Sequence, residues 1–314
     1  MSRLTVALVV FNRPEPTARV FARVREARPE RLLIVSDGPR AGRPGEADRV
    51  AATRAVVEAV DWPCDVETNY APSNLGCRDR VASGLEWVFS RASEAIILED
   101  DCLPDPTFFS YCAELLDRYR KDTRVGTISG CAFHPRPDLL EADYYASRFH
   151  HIWGWASWRR AWQGYDVAMR AWPAFRGREL RQAFPAWQQR WYWRRLFDRV
   201  HSGAINTWDV QWFLHNLRAG RLSLLPRVNL VTNIGAGPDA THTVAASEWM
   251  ERPSGPLAGP LRAPARLEAD AVNDRYIGER MFSLGAVAVG ARRRLRSAVR
   301  AGRAPAGVAA ARPG

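Results

Sequence analysis

Apolar residues along the chain come in short runs, each closed by a polar or Gly/Pro-containing turn. The first, Leu4–Phe11, ends in Asn12-Arg13-Pro14. Its continuity predicts a strand buried on both faces, and no small-residue cleavage site follows it as in a signal peptide. Leu32–Val35 predicts a second strand, ending in Ser36-Asp37-Gly38-Pro39-Arg40, and Val66–Tyr70 predicts a third. Between the strands the period changes. Pro16–Val24 and Ala47–Val60 read as helices, the latter turning Val50, Val57 and Val60 inward. After a turn at Asn74–Cys77, the residues Val81, Leu85, Val88 and Phe89 fall at i, i+4, i+7 and i+8, which is one helix face. Strands alternating with helices predict an α/β fold around a parallel sheet.

The fourth apolar run, Ala95–Leu98, leads directly into Glu99-Asp100-Asp101. A buried strand here delivers three adjacent carboxylates to its carboxyl end, where ligands of open α/β sheets bind. Adjacent carboxylates repel one another unless positive charge sits among them. A divalent cation carrying a diphosphate meets that need, because hard cations take carboxylate and phosphate oxygens together. The plainer alternative is a helix start. Asp105 would cap and Pro106 would open a helix burying Phe108, Phe109, Cys112, Leu115, Leu116 and Tyr119. That accounts for Asp105 and leaves the three preceding acids unexplained.

Arg124–Ser129 predicts a further strand, followed by a Pro-rich loop at 132–143. Ten of the thirteen tryptophans lie between Trp153 and Trp212, which marks a distinct layer. Trp187 and Trp191 share a helix face at i, i+4. Most of these rings are expected to fill a core, although flat aromatic faces also suit sugars. A helix is expected from Thr207 to Leu217, with Val210, Phe213, Leu214 and Leu217 inward and Gly220 as its stop. Asp209 lies in its first turn, where an acid that only compensates the helix dipole contributes under about 1 kcal/mol. Leu222–Leu225 and Val228–Thr232 read as late strands. The Gly-rich stretch Asn233–Thr243, with Asp239 and His242, reads as a loop able to close over a substrate. Residues 247–264 look like a surface wrap and Asp270–Leu284 like a last helix.

Composition narrows the function classes. The chain has 314 residues and is 46% hydrophobic, enough for a full core. No apolar run reaches the roughly 18 residues of a membrane span. Five cysteines without a Cys-x-x-Cys pair read as free thiols or small core residues. The net charge of +11 invites a nucleic-acid reading, but seven arginines and no acid fall within 282–314, so most of the excess belongs to the tail. No basic–aromatic base-stacking platform is evident, and nucleic acid is not expected as a partner. The tail is expected to be flexible, or to lie as a weak basic helix on anionic lipid.

Taken in order, these stations resemble a known family. Val9-Val10-Phe11-Asn12-Arg13-Pro14, Val35-Ser36-Asp37-Gly38, Ile97 through Phe109, Gly154-Trp155, Trp208-Asp209 and Thr241-His242 are similar to the motifs of GT-A-fold, nucleotide-sugar-dependent glycosyltransferases. The pattern is most similar to the N-acetylglucosaminyltransferase I type and to bacterial sugar transferases often grouped with glycosyltransferase family 2. It covers about residues 4–245. The acidic motif with its Pro-Asp-Pro-x-Phe-Phe continuation is the most specific part.

The resemblance implies a GT-A (Rossmann-like) mixed, mostly parallel sheet flanked by helices in a single main domain, 1–281. Its nucleotide-sugar half would be about 1–131, its acceptor half about 132–245 and its wrapping segment 246–281. Inverting, metal-dependent transfer from a nucleoside-diphosphate sugar, UDP-linked by preference, to a glycan or lipid-linked acceptor is implied. Arg13 would lie against the nucleotide and Asp37 would meet the pyrimidine ring. Glu99 and Asp100 would hold ribose, and Asp101 would bind Mn2+ or Mg2+. His242 would approach phosphate. Asp209 would be the base, chosen over Asp166 and Asp239 because it alone is set between large aromatics at a helix start. A cytoplasmic enzyme, peripheral to a membrane through its tail, would fit. The early segments are shorter than in the N-acetylglucosaminyltransferase I type, and nothing identifies the donor sugar. The rivals are a nucleotidyltransferase, whose Gly-rich phosphate loop Asn12–Pro16 lacks, and a non-catalytic carbohydrate-binding protein.

Overall fold

The computed structural model describes residues 4–235 and 252–285. The strand β1 (Thr5–Val10) is buried along its whole length, with β2 (Arg31–Ser36) on one side and β4 (Glu94–Glu99) on the other, both parallel to it. Strand β3 (Asp65–Tyr70) extends this half as a parallel edge. Alternation along β1 sends Val6, Leu8 and Val10 to one face and Ala7 and Val9 to the other. Helices α1 (Pro14–Ala27), α2 (Glu46–Glu58) and α3 (Gly76–Arg91) make the crossovers. The four residues of the predicted stripe on α3, Val81, Leu85, Val88 and Phe89, are all buried.

After β4 the chain turns through Asp100 and Asp101 into the short β5 (Cys102–Pro104) and then α4 (Thr107–Arg118). The helix starts one residue later than Pro106, which is its N-cap in place of the expected Asp105; from one position further out the Asp105 carboxylate accepts from the Thr107 N–H at 2.9 Å and from Thr107 Oγ1 at 2.7 Å. Strands β6 (Val125–Ser129), β7 (Tyr144–Ser147), β8 (Trp155–Trp158) and β9 (Leu222–Pro226) complete the main sheet, whose order is β3-β2-β1-β4-β8-β6-β9-β7. Six strands run one way; β8 and β7 run against them. This is a mixed, mostly parallel α/β sheet flanked by helices, as expected.

The sequence pattern does not reveal β7 or β8. Trp155-Ala156-Ser157-Trp158 carries a bulky aromatic at each end and reads as part of an aromatic layer, yet it is the strand joining both halves of the sheet. Trp155 packs on one face against Trp208 and Trp212, with ring centroids 5.7 and 5.5 Å apart. Trp158 is buried in the core on the other. The rest of the tryptophan layer is α5 (Arg159–Trp162), α6 (Trp172–Phe175), α7 (Arg178–Ala183), α8 (Trp187–His201) and α9 (Asp209–Arg218). Seven of its ten tryptophans are buried, as expected of a core layer, and Trp187 and Trp191 are exposed. Helix α9 begins two residues after Thr207. The predicted strand at Val228–Thr232 shrinks to β10 (Val231–Asn233), which pairs antiparallel with β5.

Residues 252–270 run over the surface without regular structure and lead into α10 (Ala271–Arg280), which Asp270 caps through the Asn273 N–H at 2.8 Å. Leu257 and Leu261 enter the core beside α4. All five cysteines are free thiols. Among the described residues no helix is long and apolar enough to cross a membrane. The tail from 286 and most of the Gly-rich loop, 236–243, lie outside the described residues.

Because Trp155 is fully buried between β8 and α9, Trp155→Ala should cost about 3–5 kcal/mol, measured by urea unfolding. A loss under about 1 kcal/mol would show that the strand is not held by its ring.

Candidate active site

The carboxyl ends of β1, β2 and β4 open into one cleft of ≈ 540 Å³, closed on the far side by the residues leading into α9. Its position follows from the topology, since crossovers leave parallel strands at this edge. Arg13, Asp37, Glu99, Asp100, Asp101 and Asp209 all line it. Asp166 does not; it accepts the N–H groups of Ala168 and Arg170 in a surface turn. Asp239 and His242 lie outside the described residues.

Arg13 is the positive group among the acids. Its guanidinium donates to Asp100 and, at 3.0 Å, to Asp101. The turn Asn12–Pro14 makes this possible, because Pro14 opens α1 and sets Arg13 as its N-cap beside the end of β4. Asp100 also accepts from the Phe11 N–H at 3.3 Å. Burial pulls the Arg13 guanidinium down, and Asp100 and Asp101 more than reverse this, so it stays charged. Burial pushes Asp100 up to about 6, against the pull of Arg13 and with the push of Asp101.

Glu99 is less well served. Its Oε1 is enclosed and has no hydrogen-bond partner among the described residues. Burial first, then the charges of Asp101, Asp100 and Asp209, hold its carboxyl well above the usual range. Within the acidic cluster Arg13 pairs with Asp100 and Asp101, while one oxygen of Glu99 is unmatched among the described residues. Such a site has carboxylate donors and surplus negative charge for a hard cation. Among the described residues no three His, Cys, Asp or Glu side chains are grouped to hold a metal. A cation here would take one or two carboxylates, and the rest of its shell would be phosphate and water.

Asp37 has a different environment. One oxygen accepts from the N–H groups of Gly38 and Leu75 at 2.8 and 2.9 Å. The other accepts from Asn74 Nδ2 and the Gly76 N–H at 2.9 and 3.1 Å. The carboxylate thus ties the end of β2 to the start of α3. Gly38 has no alternative here, because a Cβ would lie 2.5 Å from the Ser73 backbone.

Asp209 is fixed by its neighbours. Trp208 is buried against Trp155, and its carbonyl accepts from Tyr165 Oη at 2.9 Å. Trp212, one turn on, donates its indole N–H to Thr127 Oγ1 at 3.2 Å. The aromatic pair anchors the first turn of α9, and Asp209 projects into the cleft with Thr207 Oγ1 donating to its Oδ1.

Two lining residues escape the sequence reading. Arg80 is buried, with one guanidinium nitrogen bound to Asn69 and its Nε unpartnered. Cys77 lies amid Glu99, Asp209 and Asp37, and its thiol is pushed up to about 12, by burial first and then by those charges. Arg80 could have been found: it shares the i, i+4, i+8 stripe of Gly84 and Val88, where an arginine has no packing role.

No protein-family model matches the chain, and no curated protein matches it. Among solved structures, 4-diphosphocytidyl-2C-methyl-D-erythritol synthase from Anaerococcus prevotii is 9% identical, over 50% of this chain and 72% of that chain, with a TM-score of 0.30. Mouse xyloside xylosyltransferase 1, in its apo form, is 11% identical, over 69% of this chain and 82% of that chain, with a TM-score of 0.32. Superpositions this loose fix neither a reaction nor the role of a residue.

The raised Glu99 carboxyl has a pH signature. The fold holds this proton more tightly than the unfolded chain does. That stabilisation is complete below the unfolded carboxyl value of about 4.3 and is lost as pH rises through the folded value. Glu99→Gln should therefore melt about 2 °C or more above the parent at neutral pH, with the gap closing towards pH 4. A gap independent of pH would show that Glu99 does not hold the proton.

Proposed function

We propose that the chain is an inverting glycosyltransferase that moves a sugar from a nucleoside-diphosphate sugar, UDP-linked by preference, to a hydroxyl of a glycan or lipid-linked acceptor. One observation carries this reading: the carboxylate cluster at the end of β4, paired with Arg13, shares its cleft with a separate carboxylate, Asp209, held at the start of α9. Two acidic centres on opposite sides of one cleft suit a reaction with a charged leaving group on one side and a proton to remove on the other.

In this mechanism the acceptor hydroxyl approaches Asp209. Thr207 occupies Oδ1, so Oδ2 is the oxygen that takes the proton. The hydroxyl oxygen forms its bond to the anomeric carbon as the bond from that carbon to the diphosphate oxygen breaks. The electron pair leaves with the diphosphate. Asp101 would hold Mn2+ or Mg2+, whose chemistry when bound is to neutralise that departing charge. Arg13 orients Asp100 and Asp101 and supplies positive charge from the protein itself. Glu99 and Asp100 would meet the ribose. Asp37 would meet the base through whatever capacity its four backbone and amide donors leave. His242 would reach phosphate from the Gly-rich loop. A nucleotidyltransferase is less well supported, because the turn after β1 runs directly into Pro14 of α1 with no glycine.

Two measurements test the reading. Calorimetric binding of UDP should weaken at least tenfold on adding EDTA and on Asp101→Ala; unchanged affinity in both would remove the metal. Asp209→Asn keeps shape and hydrogen bonding but cannot take a proton. Turnover should fall at least ~100-fold, with UDP affinity and melting temperature nearly constant. A variant retaining more than about a tenth of parental turnover would sink the assignment of Asp209.

A further inference from the structure

The remaining positive charge of the folded chain is concentrated in one place. Residues 170–199 hold eight arginines against two acids, Glu179 and Asp198. Helix α8 displays much of it. Trp193, Phe197 and Val200 point inward and are buried. On the other side, Trp187, Trp191, Arg194 and Arg195 follow at i, i+4, i+7 and i+8, so they share a face. Trp187 is 59% exposed and Trp191 39%. Large rings are rarely left this open in a chain that buries seven other tryptophans of the same layer.

The arginines on this side are not consumed by ion pairs. Asp198, the acid nearest them, is taken by Arg176 at 2.8 Å and by the Trp172 indole at 3.0 Å. Arg194, Arg195 and Arg199 have no carboxylate partner among the described residues. The Arg195 guanidinium sits 5.6 Å from the centre of the Trp191 ring. Together with Arg176 and Asp198 they line an open depression on the surface.

We infer that this face of α8 docks on an anionic lipid bilayer. The two side-chain types ask for different things, and a bilayer surface provides both. Exposed indoles settle at the headgroup level, where a ring can be half in hydrocarbon and half wet. Guanidinium groups bind lipid phosphates bidentately and are weakly hydrated, so they give up water readily. Each basic residue near a negatively charged leaflet adds electrostatic attraction. The docking does not rest on the proposed function.

The test is co-sedimentation of the full chain with vesicles of phosphatidylcholine alone or mixed with phosphatidylglycerol. The parent should partition onto the mixed vesicles and not onto phosphatidylcholine alone. W187A/W191A and R194E/R195E should each lower that partition at least tenfold with unchanged melting temperature, while R194K/R195K retains most of it. Trp187, Trp191, Arg194 and Arg195 are all exposed, so folding is preserved. R292E/R293E/R294E in the tail serves as the comparison. The inference is overturned if the α8 variants bind like the parent, whether or not the tail variant loses binding. It is overturned equally if the parent sediments with neither vesicle. It is also overturned if the α8 substitutions instead abolish self-association in size-exclusion chromatography or binding of a single-stranded oligonucleotide.

Discussion

The antiparallel strand β8 is the constraint on which the architecture depends. In the strand order, β4 and β6 meet only through it. Its four residues pair with Glu94–Ile97 on one side and with Ile128 and Ser129 on the other. Its tryptophans point to opposite faces, Trp155 into the core under α9 and Trp158 into the core under α4. The strand therefore joins the two halves of the sheet and seats the helix that presents Asp209. The turn before it is tight. Gly154 has a positive φ of 59°, and a Cβ there would lie 2.7 Å from Val231, so the approach of β10 to this turn requires glycine. The acidic end of β4 and the start of α9 face one another because a single short strand fixes both.

What that geometry assembles is electrostatically expensive. Glu99, Asp100, Asp101 and Asp209 line one cleft with one guanidinium inside the acidic cluster. A fold optimised for stability would replace Glu99 with a neutral or apolar residue. Keeping an enclosed carboxyl oxygen without a partner is the kind of local cost that collects where charge is used. The surrounding core offsets it. Ile96, Ile97 and Leu98 are buried immediately before the acids, and Cys102 immediately after. The strain is flanked by some of the best-packed residues in the chain.

Much of this could be read from the sequence, and the reasons differ by region. The first half follows simple rules: continuous apolar runs for parallel strands, a 3.6 period for the crossovers, polar turns at strand ends. Five of the seven candidate site residues, Arg13, Asp37, Glu99, Asp100 and Asp101, lie where those turns converge, because topology brings the carboxyl ends of parallel strands to one edge, and Asp209 meets them from the start of α9. The second half resists. Tyr144–Ser147 and Trp155–Trp158 are strands held by long-range pairing, with no local alternation to announce them. A dense aromatic run cannot be divided into core and surface without knowing its neighbours, so the pattern does not single out Trp187 and Trp191 as the exposed pair. Arg80 was passed over because charge on a helix is usually solvated. The positive partner of the acidic motif lay 87 positions away in Arg13, a distance that no local reading spans.

The surface segment 252–270 also has a bearing on how the sheet ends. At the other edge, β3 carries Asp65 and Glu67, paired with Arg31 and Arg91, and charged edges discourage strand addition. The β7 edge has the apolar stretch Tyr144-Tyr145-Ala146 and no such charges. It is covered instead. Ala269 forms a parallel bridge with Ala146, and the Asp270 N–H donates to the Ala146 carbonyl at 2.8 Å. The Asp143 N–H donates to the Arg262 carbonyl at 2.9 Å. A chain shortened near residue 245, where the family resemblance ends, would keep every described residue of the cleft and lose this cover. It would expose a tyrosine-rich open strand to its own copies, so aggregation, rather than inactivity, is the hazard that the segment 252–270 holds off.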